Sequence, residues 1–147
     1  MSYKARILEV LMVVFFLWVT AATADVDNDL MEAAARYDSL RVINSISNGA
    51  DVNAKFNDVG TALIITSMHG HKYVVQMLLD KGANVNVKGY NSLTALIVAS
   101  ETGRKDIVHM LLSKVADVNT TMNNDRIALS LAFNQEIKEL LIKAGAK

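Results

Sequence analysis

The sequence predicts an all-α solenoid of four helix-turn-helix units joined by short finger loops. The first observation behind this is a period. Gly60–Asn86 slid by 33 residues falls on Leu93–Asn119, pairing Thr61-Ala62-Leu63 with Thr94-Ala95-Leu96, Leu78-Leu79 with Leu111-Leu112, and Val85-Asn86 with Val118-Asn119. A slide of the same length the other way puts Gly82–Asn86 on Gly49–Asn53. A fixed period of this size marks a chain in which each unit buries its apolar side only against its neighbours. The second observation is an apolar stripe at helical spacing inside each period, ended by a turn residue. The third is punctuation: the chain has no proline, so its turns fall to Gly, Asn and Asp.

Ahead of the periodic region, residues 1–24 differ in kind. Lys4 and Arg6 make a basic start, Val10–Val19 is unbroken apolar sequence, and Thr20–Ala24 supplies small residues. That order is the pattern of a secretory signal, with cleavage expected after Ala24. From Ile7 the apolar stretch is 13 residues long and includes Glu9, short of the roughly 20 that span a bilayer. Retention as a membrane anchor is the alternative. Removing Lys4, Arg6 and Glu9 from the 15 basic and 15 acidic residues leaves 13 and 14. A near-neutral chain lacks the positive excess that coats a phosphate backbone, so no nucleic-acid partner is expected. The absence of cysteine excludes disulfides, thiolate nucleophiles and Cys-based metal sites, and is compatible with export.

Residues 25–147 form the repeat domain. Asp25–Asn28 reads as a polar lead-in to a first repeat at about 29–58. Leu30–Ala35 is its first helix, and Leu40, Val42, Ile43 and Ile46 give the apolar side of its second. Glu32, Arg36, Asp38 and Arg41 are the polar surface expected of a terminal unit. Gly49 ends it, since glycine accepts the positive φ beyond a last helical turn. Repeat two, about 59–91, has a first helix at Ala62–Met68 stopped by Gly70 and a second with Val74, Val75, Leu78 and Leu79 on one stripe, closed by Gly82. Repeat three, about 92–124, keeps the stripe as Ile107, Val108, Leu111 and Leu112. Repeat four, 125–147, is three residues short around Phe133–Gln135, with a stripe of Ile137, Leu141 and Ile142. Lys138 stands there where the earlier repeats have Val75 and Val108, a charge suited to a unit that nothing follows.

Gly49-Ala50-Asp51-Val52-Asn53, Gly82-Ala83-Asn84-Val85-Asn86, Gly70-His71 and the two Thr-Ala-Leu segments resemble the ankyrin repeat, over about Asp29–Lys147. The resemblance implies a concave binding surface made of finger loops and inner helices. It departs from the family pattern at Ala62 and Ala95, where proline is usual, and at Ile64 and Ile97, where histidine is usual. Burial of two isoleucines, at ~25 cal/mol per Å², can match the ~1 kcal/mol of the missing histidine hydrogen bond. Val115 stands where the other repeats have glycine, which puts a β-branched residue at positive φ.

Catalytic chemistry finds little support. His69-Gly70-His71 resembles a ligand pair, but no third ligand adjoins it and His71 falls at the family's Gly-His turn. Glu101 and Asp125 have no partner nucleophile, and the glycines occur singly rather than in a phosphate-binding run. The expectation is therefore a non-enzyme with no cofactor and no metal. The fingers, Ala54–Gly60, Val87–Leu93 and Thr120–Arg126, carry Phe56, Tyr90 and Met122 as expected exposed tips. Large aromatic and Met side chains are enriched in interface cores. Met68, His69, Glu101 and Thr102, at the ends of the inner helices, are expected to line the same surface. The resemblance points to an exported bacterial scaffold, periplasmic or secreted and monomeric, that binds another protein through its concave side. An inhibitor of a co-exported enzyme and a membrane-anchored adaptor are the alternatives.

Overall fold

The computed structural model describes residue 12, residues 25–56 and residues 59–147. Apart from Met12, the expected secretory segment therefore lies outside the described residues. Among these the chain forms eight α-helices in four pairs: α1 (residues 25–35), α2 (Ser39–Ser47), α3 (Ala62–His69), α4 (Lys72–Asp80), α5 (Ala95–Glu101), α6 (Lys105–Ser113), α7 (Ala128–Leu131) and α8 (Gln135–Lys143). The odd-numbered inner helices stack as α3 on α5 on α7, and the outer ones as α2 on α4 on α6 on α8. One continuous core runs between the layers, from Leu30, Ala33 and Ala34 to Ile137 and Leu141. The all-α solenoid expected from the period is the architecture found.

The stripes bury as their spacing requires in the middle of the stack. Val74, Val75, Leu78 and Leu79 are buried, as are Ile107, Val108 and Leu111, with Leu112 half-buried. The two ends depart from the expected pattern. Of the apolar residues expected on the α2 stripe only Val42 is buried, while Leu40 and Ile43 are exposed. In α8 Ile142 is exposed although Leu79, in the same register, is buried against a following repeat. Lys138 is exposed in the register where Val42, Val75 and Val108 are fully buried. Asp25–Asn28 is not a lead-in loop but part of α1. Val26 packs against the core there, and the Asp27 carboxylate accepts the Asp51 N–H at 2.6 Å.

Each outer helix ends in the same pair of backbone hydrogen bonds. The N–H groups of Ala50, Ala83, Ala116 and Ala146 reach back five residues to Ser45, Leu78, Leu111 and Leu141. This closure requires a left-handed residue just before the donor. Gly49, Gly82 and Gly145 supply it at φ 95°, 87° and 97°. Val115 is held in the same conformation at φ 62°. The strained valine expected from the register is present.

The turn between inner and outer helices also repeats, with a substitution in each unit. Tyr37, Gly70 and Gly103 all have positive φ. Over each lies a side chain from the next repeat. The His71 ring sits 4.8 Å from the Tyr37 ring, and a Cβ placed on Gly70 would meet the Arg104 guanidinium at 2.8 Å. On Gly103 it would meet the Phe133 ring at 2.9 Å. The terminal repeats use Asp38 and Asn134 to cap their outer helices, accepting the N–H of Arg41 and Ile137. His71 and Arg104 occupy the equivalent positions without capping.

Candidate functional site

The finger face is assembled by asparagine side chains. Asp51, Asn84 and Asp117 each turn the chain by accepting the N–H two residues on, at Asn53, Asn86 and Asn119, the Asx turn that short polar side chains favour. Those asparagines then reach across to the next repeat. Asn53 Oδ1 accepts the Asn84 N–H at 2.7 Å, Asn86 Oδ1 the Asp117 N–H at 2.8 Å, and Asn119 Oδ1 the Lys147 N–H at 3.0 Å. Asn86 and Asn119 also donate from Nδ2 to the carbonyls of Val115 and Gly145. One amide thus satisfies a donor and an acceptor of the neighbouring unit. The bases of the fingers are fixed at repeat spacing by backbone hydrogen bonding.

Above these bases each finger closes on itself. Phe56 N–H donates to the Gly60 carbonyl at 3.0 Å, Gly89 N–H to Leu93 at 2.8 Å, and Met122 N–H to Arg126 at 2.8 Å. The equivalent positions are therefore Phe56, Gly89 and Met122. Tyr90 stands one residue beyond that register, on a turn of 3-10 helix, Tyr90–Ser92. Asn91 and Ser92 both take left-handed φ, at 55° and 60°. Two bonds to the third finger hold this conformation: Ser92 Oγ donates to Asn123 Oδ1 at 2.9 Å, and Asn123 N–H to the Asn91 carbonyl at 3.3 Å. Consecutive left-handed non-glycine residues cost energy and persist only where surrounding contacts fix them. Tyr90, just before them, is 70% exposed.

The expected tips fare differently. Tyr90 projects, Phe56 is 39% exposed, and Met122 is only 8% exposed and belongs to the core. Met122 is thus corrected from an exposed tip to a packing residue, its flexible thioether filling the space beneath the third finger. Phe56 borders a small depression with Asp27, Asn28 and Met31 of α1. Tyr90 borders a larger groove, of about 450 Å³, lined also by Lys55, Gly60, Lys88, Gly89, Asn91 and Asn123. Glycine at 89 is a steric requirement of the contact between the first two fingers. A Cβ on Gly89 would lie 2.8 Å from the Val59 carbonyl oxygen and 3.1 Å from Gly60 Cα.

Met68, His69, Glu101 and Thr102 lie at the C-terminal ends of α3 and α5, whereas the fingers enter at the N-terminal ends. An eight-residue helix is roughly 12 Å long, so these four do not share the Tyr90 groove. Met68 is half-buried, while His69, Glu101 and Thr102 are exposed. The Thr102 hydroxyl donates to the Val98 carbonyl at 2.6 Å. His69 uses Nδ1 to bond the Ile65 carbonyl at 2.9 Å and stacks on His71 at 5.4 Å. His71 in turn approaches the Ala35 carbonyl of the preceding repeat with Nε2, at 3.4 Å. The histidines join repeats one and two.

Sequence reading overlooked Lys55 and Lys88. Their signal was available, since they stand 33 residues apart in the motif that carries the period. The outer surface is electrostatically different, with charges paired across repeats: Lys72–Asp106 at 2.8 Å, Lys105–Glu136 at 3.0 Å and Lys114–Asp80 at 3.9 Å. The Lys72 hydrogen bond holds the Asp106 carboxyl below its ordinary pKa, and Asp106 raises that of Lys72. At the first repeat Arg41 bonds Asp29 and Glu32, and Ser45 donates to Asp29 at 2.7 Å. Those bonds, that from Arg41 foremost, lower the Asp29 pKa.

The family model described as "Ankyrin repeats (3 copies)" matches residues 30–122. No curated protein matches the chain.

Proposed function

The chain belongs to the ankyrin-repeat family, and we propose that it is an exported, non-catalytic interaction module that binds a partner protein through its finger face. Ankyrin repeats are protein–protein interaction modules. The observation that carries the reading is Tyr90: a large aromatic side chain standing in solvent, next to the left-handed Asn91 and Ser92 that the third finger braces. A rigid exposed aromatic is the usual centre of binding energy in an interface, because it buries much area at small entropic cost. Phe56 and the groove between them extend the same surface. A finger face of this size could bury ~800 Å² per partner.

Export is supported by the order of basic, apolar and small residues in 1–24, and would place the protein in a bacterial periplasm or outside the cell. Intact mass of the purified protein tests this: loss of the first 24 residues is expected, and a full-length mass would overturn it. The interaction is tested by capture from the exported fraction, comparing the native protein with a Phe56→Ala/Tyr90→Ala variant. Met122 is left intact, since truncating a core residue would confuse lost folding with lost contact. Loss of the captured protein with unchanged Tm is expected. Equal capture by both would refute the finger face as the docking surface.

A further inference from the structure

We propose that the first repeat, α1 with α2, opens away from the rest of the stack as one unit. Register against the other joints carries this. Repeats two and three are clamped on the outer surface by Lys72–Asp106 at 2.8 Å and Lys114–Asp80 at 3.9 Å, and repeats three and four by Lys105–Glu136 at 3.0 Å. One period earlier, Ser39 and Tyr73 hold the places of Lys72 and Asp106, and Ser47 and Lys81 those of Asp80 and Lys114. Neither pair can form a salt bridge. Asn86 and Asn119 each bond the next repeat twice, through Oδ1 and Nδ2. Asn53, in the same register, makes only the Oδ1 bond among the described residues, to the Asn84 N–H at 2.7 Å. At the other end of the stack, the Phe133 N–H adds a backbone bond to the Ser100 carbonyl at 2.9 Å. Of the two terminal units, the first is the less anchored.

The polar side chains of the first repeat bond inward instead. Arg41 holds Asp29 and Glu32, and Ser45 donates to Asp29, so α2 is tied to α1. The Asp27 carboxylate ties the base of the first finger to α1 as well, by accepting the Asp51 N–H. In a stack of repeats, stability divides into what each unit holds within itself and what each joint adds. A unit tied inside and loosely joined outside separates whole before it melts. Across this joint lie apolar contact, the single Asn53 bond, the Tyr37–His71 ring contact at 4.8 Å and the approach of His71 Nε2 to the Ala35 carbonyl at 3.4 Å. Parting them leaves no charge without its partner. Opening also takes Asp27, Asn28 and Met31 away from the depression that Phe56 borders. On the reading that Phe56 belongs to the docking surface, a partner seated there would hold the first repeat closed.

The test is native-state hydrogen exchange of the purified protein, read by mass spectrometry of its peptides. Amides of α1 and α2 should exchange together, and faster than those of α4, α6 and α8 by about tenfold or more, the combined scale of two exposed ion pairs and one amide bond. Ser39→Lys/Tyr73→Asp installs the pair that the register lacks. It should slow exchange in α1 and α2 by about two- to fivefold against the two single variants, and leave α6 and α8 unchanged. His71→Ala removes the ring contact with Tyr37 and should speed exchange in α1 and α2 alone. Exchange of α2 as slow as that of α4 and α6, exchange of α8 faster than that of α2, or exchange of α2 without α1 would each overturn the proposal. So would rates in α1 and α2 that neither variant moves. The measurement uses no partner, so its failure leaves the finger face as a docking surface standing. Equal capture by Phe56→Ala/Tyr90→Ala would refute that surface and leave the opening intact.

Discussion

Asn86 Oδ1 accepts the backbone N–H of Asp117 at 2.8 Å, 31 residues further along the chain. The same amide donates to the Val115 carbonyl at 3.4 Å. A single side chain in repeat two thus holds both sides of the turn that ends repeat three. Truncation would remove both bonds and leave two backbone groups to water. Asn86→Ala should cost about 1–2 kcal/mol, read as a lower urea midpoint. Asn86→Asp retains the acceptor and should recover part of the loss.

Val115 is 81% exposed and sits at φ 62°. Its side chain buries almost nothing, so replacement sacrifices little packing. Left-handed backbone costs a non-glycine residue roughly 1–2 kcal/mol, offset partly by glycine's freedom in the unfolded chain. Val115→Gly should stabilise by about 1 kcal/mol, a rise of a few degrees in Tm. An unchanged or lower Tm would refute strain at this turn.

The Ser67 hydroxyl is buried in α3 and has no hydrogen-bond partner among the described residues. Its counterpart in repeat three, Ser100, donates to the Leu96 carbonyl at 2.7 Å. The counterpart in repeat one is Ala34, fully buried. Ser67→Ala should therefore stabilise by about 1 kcal/mol, whereas Ser100→Ala should be neutral or destabilising. Calorimetry on the two variants decides it.

Asp29 joins α1 to α2 through Arg41 and Ser45, and those bonds lower its folded-state pKa below 3.8. A depressed carboxylate contributes stability that is present above the unfolded value and lost as pH falls through the folded one. Asp106 follows the same sign through Lys72. The stability difference between the native protein and Asp29→Asn should be constant from neutral pH down to about 5 and shrink below about 4. Chemical denaturation across that range measures it, and a gap that widens in acid would contradict the pairing.

Gly89 closes the second finger against Gly60 with no room for a Cβ. Gly89→Ala should push the two fingers apart and destabilise the fold by about 1–3 kcal/mol for overpacking, read as a lower Tm. It should also weaken capture by the finger face, in contrast to an alanine at exposed Tyr73 on α4.

What the sequence made legible follows from where repetition carries the physics. The helices, the buried stripe and the left-handed valine at 115 were readable, because each is fixed by register against a sister repeat. Glycine at 49, 82 and 145 identifies the geometry that Val115 must share. The ends were less legible. Ile142 looks like a core residue by spacing, but burial also needs a neighbour on the correct side; Leu40 instead shares the register of Tyr73, which is exposed even in the middle of the stack. The finger tips were misread at Met122 because size was taken for projection. The backbone bonds put Met122 in register with Phe56 and Gly89, and leave Tyr90 one residue further out. Nor did the chain announce that the asparagines span repeats, since an Asn ending a turn looks the same whether it bonds locally or across.

Lys138 has a consequence for assembly. A stack of repeats is by nature open-ended: the side that covers the previous unit is the side that could receive another, and head-to-tail addition of copies would build a filament. Val42, Val75 and Val108 are buried where this lysine is exposed, so any subunit added beyond α8 would have to desolvate an ammonium group at the seam. A lysine in this register therefore disfavours head-to-tail addition of a further copy onto α8.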